Sequence, residues 1–318
     1  MNLKLSLILC VLCYTGAVAQ TEPHYTMFMY DKLLYNPAYA GSRDVTSVNA
    51  DYRDQWTGIN GAPKTVNVTL DGPVGSYMAP FRSVALGISI DNEQLGVENN
   101  TDLKAYYAYR IKLSKSVLSF GLEAGAKIYS ANYSALNPYQ QNDPNLTHNI
   151  NNELLPNFGA GVYWSGDKFY AGLSIPNLLE NYYDKNKTGI DNVASREIRG
   201  YYLNAGYVYT VNDILKLQPQ FILRYSGDGS YQLPVNCDLN ISAILYDRLM
   251  FGVTYRTDNS VEGIVHIQAM KNLNIGYAYD YVMSALEGYA GGSHEIVVGY
   301  DFIRDNSKYT TPRFIKSF

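Results

Sequence analysis

From residue 45 onward the chain alternates. Ser47, Asn49, Asp51, Arg53 and Gln55 fall on one parity, Val48, Ala50 and Tyr52 on the other, and Trp56 closes the run. A period of two is that of a β-strand. The polar parity carries full charges, which a soluble β-sandwich rarely turns toward its core. That inversion belongs to a transmembrane β-barrel, with lipid outside and a polar lumen within. Segments 64–71, 81–91, 101–112, 116–129, 157–164, 168–175, 200–211, 214–225, 235–245, 249–256, 261–270, 273–282 and 295–303 repeat the pattern, which predicts an all-β antiparallel barrel of about 14 strands, an even number. In 101–112, Leu103, Ala105, Tyr107, Tyr109 and Ile111 are expected outside, and Asp102, Lys104, Tyr106 and Arg110 inside.

The connections supply a second test, because bacterial barrels have short periplasmic turns and long external loops. With the first strand running outward, the connections after strands four, six, eight, ten and twelve face the periplasm, and each is a few residues long. The longest, 130–156 and 176–197, fall outside. Residues 71–80 are long for a periplasmic turn, and 257–260 are short for an external loop. The long loops are rich in Asn, Gln and Asp, which suits partner contacts and plain solvation alike.

Ahead of the strands the division is a signal peptide at 1–19, then a lead-in at 20–44, the barrel at 45–303 and a tail at 304–318. Lys4, an apolar core and Ala17-Val18-Ala19 before Gln20 form a cleavable secretory signal. After it no apolar run approaches the roughly 18 residues of a membrane helix. The lead-in is polar and aromatic, with turns at Asn36-Pro37 and Gly41 and a short helix expected over 27–34. It belongs at the periplasmic mouth or, as a plug, in the lumen.

Composition supports the barrel. Of 318 residues 17% are charged, 31 are tyrosines and the net charge is −4. Tyrosine has an apolar ring and a polar tip, which suits the aromatic girdles at the lipid–water boundary. No Lys/Arg run is present, which argues against a nucleic-acid partner. The mature chain keeps only Cys237, so no internal disulfide is expected.

Chemical motifs are absent. His24, His148, His266 and His294 are scattered without metal-ligand spacing; His24 and His148 are expected to be exposed and His266 to face the lumen. Gly159-Ala160-Gly161 lacks the rest of a nucleotide loop, and no serine-nucleophile elbow occurs. Only His266 could serve an enzyme, and no spacing identifies a serine for it. No catalytic, cofactor or metal residue is predicted. The inward charges, from Asp102 and Lys104 to Asp280 and Asp301, have two readings: cross-strand pairs that fill the interior, or a polar pathway or peptide-binding cavity. Their mixed signs favour filling, since a selective constriction tends to carry one sign.

The chain also carries a family signature. The run Leu34-Tyr35-Asn36-Pro37-Ala38-Tyr39-Ala40-Gly41 is followed by Arg53-Asp54-Gln55-Trp56, Gly58 and Gly61-Ala62-Pro63. Gly172-Leu173-Ser174-Ile175-Pro176-Asn177-Leu178, Leu215-Lys216-Leu217-Gln218-Pro219, Gly299-Tyr300-Asp301-Phe302 and Pro312-Arg313-Phe314 come later. Together these resemble the PorP/SprF family over nearly all of the mature chain. Asn36, Pro37, Ala38, Gly41, Arg53, Gln55 and Trp56 match its most specific motif. The resemblance implies an outer-membrane protein of the type IX secretion and gliding apparatus. It would support secretion or surface attachment of an adhesin-like partner bearing a C-terminal secretion domain, alongside other type IX components. In some members a periplasmic peptidoglycan-binding protein is the partner. The family brings no agreed catalytic residues. A passive solute channel is the alternative, and a lumen plugged by 20–41 would argue against it.

Overall fold

The computed structural model describes residues 24–74, 83–136, 148–183, 196–227, 234–258, 260–283 and 288–303. The expected signal peptide at 1–19, residues 20–23 and the expected tail at 304–318 lie outside them.

The strands are β1 Thr46–Asp54, β2 Lys64–Pro73, β3 Val84–Leu95, β4 Glu98–Lys112, β5 Ser116–Ala131, β6 Ile150–Gly166 and β7 Phe169–Ile175. They continue with β8 Gly200–Tyr207, prolonged by Tyr209–Thr210, then β9 Leu215–Ser226, β10 Asn236–Leu245, β11 Leu249–Arg256, β12 Ser260–Ile267, β13 Leu273–Val282 and β14 Ser293–Phe302. Each is antiparallel to its sequence neighbours. β1 also pairs with β14, Thr46 opposite Phe302 and Asp54 opposite His294, so the 14-stranded sheet closes without an edge. Closure is what a sheet in lipid requires, because unpaired backbone groups there are costly.

The alternation decides which side meets lipid. On β1, Ser47, Asn49, Asp51 and Arg53 are buried inside while Tyr52 is exposed. On β3, Leu86, Ile88 and Ile90 point out, and on β4 so do Leu103, Tyr107 and Tyr109. Apolar groups therefore cover the outside and polar groups line the inside, as expected of a membrane barrel.

Four details depart from the sequence expectation. β6 starts at Ile150 rather than residue 157: Asn151, Asn152 and Glu153 are polar on both parities, yet Ile150 and Glu153 pair with Ala131 and Tyr129 of β5, with Asn151 and Asn152 at a break in the register. β3 and β4 run on to a two-residue turn at Gly96-Val97. There the Asn92 side chain donates to Asn99 Oδ1 (2.9 Å) and Thr101 Oγ1 (2.8 Å), holding a polar hairpin together. β8 is interrupted at Val208, whose N–H bonds the Lys168 carbonyl at 2.7 Å. The helix expected over 27–34 is instead a set of turns followed by a single helical turn, α1, Lys32–Tyr35.

One end of the barrel carries the short turns 113–115, 167–168, 211–214, 246–248 and 268–272, and the other carries 132–149 and 176–199. The protruding ends of β3–β6 build up the long-loop side.

Residues 24–44 occupy the lumen. Tyr25, Met27, Phe28, Met29, Tyr30 and Tyr35 pack on Tyr202, Ile222, Ile244, Met250, Ile264, Ala278 and Val297, one residue from each of β8–β14. The chain then crosses to the opposite wall, where Leu33, Ala38, Tyr39 and Ala40 pack on Ala85, Tyr106, Ala108, Tyr163 and Tyr170 of β3–β7. Several tyrosines expected in the girdles are thus core residues of the plugged lumen.

Candidate functional site

The luminal segment is held by two unlike devices. Near its start, Arg53 of β1 reaches inward and is 2% exposed. Its guanidinium contacts Asp280 on β13 at 2.6 Å and Glu295 on β14 at 2.9 Å, and donates to Thr26 Oγ1 at 2.6 Å. Glu295 also accepts the backbone N–H groups of Thr26 and Met27, both at 2.7 Å, and Thr26 Oγ1 donates to Asp280 at 2.6 Å. A planar fork that meets two carboxylates at fixed angles gives geometry as well as charge. Here it ties the segment to the strands on either side of the closing seam. Tyr25 adds a hydrogen bond from its hydroxyl to Asp91 on β3.

The second device is steric. Asn36 caps a 3₁₀ turn at Pro37–Tyr39: its Oδ1 accepts the Ala38 N–H at 3.0 Å, and its Nδ2 donates to the Val162 carbonyl of β6 at 3.0 Å. The wall beneath has no side chains. A Cβ on Gly121 would lie 2.0 Å from Ala38 N, one on Gly161 2.2 Å from Asn36 Oδ1, and one on Gly172 2.8 Å from Asn36 Nδ2. Three strands thus surrender their side chains where Asn36-Pro37-Ala38 docks. Gly41 follows in a left-handed conformation (φ +69°), its N–H on Asp71 at 2.7 Å, and a Cβ there would collide with Ala85. Arg43–Asp301 (3.2 Å) and Asp44–Arg110 (2.7 Å) then anchor the approach to β1.

Gln55 is buried, its N–H on the Pro63 carbonyl at 2.9 Å. Trp56 lies beyond the strand at φ +50°, its N–H 3.2 Å from Ser293 Oγ, and Thr57 is hydrogen-bonded to Gly291 and Gly292. The end of the motif therefore knits the β1–β2 and β13–β14 loops together.

Other inward charges pair in a chain across β9–β12. Arg224–Asp238 (2.9 Å), Asp238–Arg256 (3.1 Å) and Arg256–Glu262 (2.8 Å) alternate in sign, which is the filling arrangement. His24 sits beside this chain, half-buried, where exposure was expected; the segment carries it into the lumen. Burial, with the Arg224 and Arg256 guanidiniums, holds its imidazole well below the usual range. Lys32 is buried with its ammonium 3.7 Å from the Tyr170 ring centre, and burial pushes it down to about 7. His266 is fully buried, stacked on Tyr30 at 4.4 Å with Nε2 3.3 Å from Asn274 Oδ1.

A small recess of about 70 Å³ remains between the segment and β3–β5. Tyr25, Leu34, Tyr35, Asp91, Lys104 and Lys127 line it, and Pro176 and Asn177 of a long loop reach its rim. Lys127 pairs with Glu197 at 2.7 Å, and Lys104 with Glu123 at 3.2 Å.

Sequence reasoning singled out Asn36, Pro37, Ala38, Gly41, Arg53, Gln55 and Trp56 without their partners. Glu295, Thr26 and the glycines at 121, 161 and 172 were missed, and Asp280 was expected in the lumen but not as the partner of Arg53. A usable signal existed: Ile222, Ile244, Met250, Ile264 and Val297 are apolar on the inward parity of consecutive strands, each at most 1% exposed, and such a belt needs a cover.

Among solved structures the barrel is similar to a TodX deltaS2S3 mutant monoaromatic hydrocarbon channel, at 11% identity and TM-score 0.46 over 89% of this chain and 96% of that one. It is also similar to a Pseudomonas aeruginosa FadL homologue, at 12% identity and TM-score 0.44 over 89% and 95%. A KdgM porin in complex with disordered oligogalacturonate matches at 12% identity and TM-score 0.39 over 81% and 99%. No curated protein matches the chain. The family described as type IX secretion system membrane protein PorP/SprF matches residues 17–300. With that match over most of its length, on a closed barrel clad in apolar side chains, the chain belongs to the PorP/SprF family of type IX secretion system outer-membrane proteins.

Proposed function

We propose that this barrel is a holder rather than a conduit: it binds a secreted, adhesin-like protein bearing a C-terminal secretion domain and supports its secretion or surface attachment. The observation that carries this is the lumen. The chain's own residues 24–44 fill it and are fastened to both walls, leaving a recess at the long-loop end beside the raised β3–β6 wall. A barrel closed to diffusion and built up at one mouth serves binding. By the rule of short periplasmic turns, the recess faces the cell exterior and the partner. The short-turn end is then left for other type IX components, among them a periplasmic peptidoglycan-binding protein.

In this reading Asn36, Pro37, Ala38 and Gly41 seat the segment, Arg53 clamps it, and Gln55 and Trp56 shape the loop at the binding mouth. No residue has a catalytic role. The division into a lead-in at 20–44, a barrel at 45–303 and a tail at 304–318, behind a cleaved signal at 1–19, is part of the same proposal.

The test is purification of the barrel from outer membranes in mild detergent through a tag after Phe318, followed by mass spectrometry of bound proteins. A large exported adhesin or type IX components are expected. Recovery of the barrel alone, with every adhesin still secreted and attached in a deletion strain, would overturn the reading. The passive-channel alternative predicts steady planar-bilayer conductance from the purified wild-type chain; the filled lumen predicts none.

A further inference from the structure

Three carboxylates of different elements meet inside the barrel where the luminal segment crosses the closing seam. Asp31 comes from the segment, Asp51 from β1 and Glu295 from β14. One oxygen of each lies within 4.8 Å of the others. All three are buried, at 0%, 2% and 0% exposure. Arg53, the cation beside them, is engaged by Asp280 and Glu295. Neither oxygen of Asp51 has a hydrogen-bond partner.

A second observation comes from outside the acidic group. Asn67 on β2 is directly opposite Asp51 in the β1–β2 register and is fully buried. Neither its amide oxygen nor its amide nitrogen has a partner. Side chains directly opposite across an antiparallel pair have Cβ atoms about 5 Å apart, so the Asn67 amide borders the same space. A buried amide left unmatched is costly, and an unmatched carboxylate costs more. Two such groups side by side, next to two further carboxylates, leave the oxygens of Asp51 and Asn67 without an acceptor of their electron pairs.

We propose that Asp31, Asp51, Glu295 and Asn67 form a site for a hard divalent cation, of the calcium or magnesium class, that fastens the luminal segment to the barrel seam. Carboxylate and amide oxygens with no thiol or imidazole are the donor set of such ions. Calcium–oxygen distances of about 2.4 Å let oxygens on one ion be up to about 4.8 Å apart, and the three carboxylate oxygens all lie within 4.8 Å of one another. The ion would bridge the segment, β1, β2 and β14, neutralising charge that Arg53 leaves unmatched.

The test refolds the full chain into detergent with calcium chloride, with magnesium chloride, or with a chelator, then measures bound metal per chain and the unfolding temperature. The expected result is one tightly held equivalent and a higher unfolding temperature with the cation present, both lost in Asp51→Asn. That variant keeps the side-chain shape, so it folds. Asn67→Ala is expected to weaken metal binding at least tenfold, and Asp213→Asn, exposed on the 211–214 turn, to leave it unchanged. Equal metal content in wild type and Asp51→Asn would place the ion on residual lipid and overturn the proposal. Equal unfolding temperatures of wild type with and without cation, with no bound metal, would overturn it as well and point to a proton shared between Asp31 and Asp51.

Discussion

The two ends of the luminal segment are held to the same barrel by opposite means. At Thr26 and Met27 the contact is charge: one guanidinium, two carboxylates and backbone donors, all buried. At Asn36–Ala38 it is shape: backbone resting on glycine backbone, with one amide side chain bridging to Val162. Charge acts strongly where it is buried but fails badly when one member is lost. Close backbone contact is weaker per atom, yet it specifies position, because no side chain can take the place of a missing one. The charged end sets how firmly the segment stays, and the glycine cradle sets where.

The largest expected effect therefore lies at the charged end. Arg53→Ala leaves Asp280 and Glu295 buried without their cation, and breaking a buried pair in this way costs about 3–5 kcal/mol. A lower denaturant midpoint and proteolysis near Thr26 are the readouts. Arg53→Lys is expected to recover only part of the loss, since a point charge cannot meet both carboxylates and Thr26 as the fork does. Full recovery by lysine would break the distinction drawn between the two ends.

At the cradle, Gly121→Ala is expected to cost up to about 3 kcal/mol, because the new methyl group meets the Ala38 backbone rather than a movable side chain. Its signature is displacement: cross-linking between Ala38 and β5 cysteine positions falls while the Arg53 clamp persists. Asn36→Ala is expected to cost less, about 1–3 kcal/mol, through loss of the bonds to Ala38 and Val162. If Gly121→Ala left the cross-link intact, the cradle would be packing without specificity.

The comparison also marks what was legible in the chain. Strand number and facing follow from the alternation because lipid and lumen impose opposite preferences on neighbouring residues. Where β3–β6 rise beyond the apolar band that contrast vanishes, so Asn92, Asn99 and the 150–153 run look like loop while forming ladder. The motif at Asn36 and Arg53 stood out as a pattern, but its partners did not. Arg53 and Glu295 are 242 residues apart, and only closure of β1 on β14 brings them together. A glycine in a strand shows an absence, and what fills the absence comes from another part of the chain. His24 was misplaced for the same reason: its surroundings belong to β9–β11.

His24 gives the smallest expected effect and the sharpest probe of the charged end. Its imidazole lies half-buried beside Arg224, Arg256 and Asp238, and desolvation and the guanidiniums together depress its proton affinity. A histidine that is neutral when docked and protonated when released binds more protons in the released state. Docking is then unaffected above about pH 6.5, the usual imidazole value, and weakens as pH falls below it, by at most about 1.4 kcal/mol per pH unit. The readout is hydrogen-exchange protection of the Thr26 and Met27 amides, which bond to Glu295, compared at pH 7.5 and 5.5. Protection is expected to drop in wild type and to change much less in His24→Phe, where the acidic groups of the clamp are still present. An identical drop in both would move the pH sensitivity to Glu295 and Asp280 themselves, making the clamp rather than its neighbour the acid-labile part.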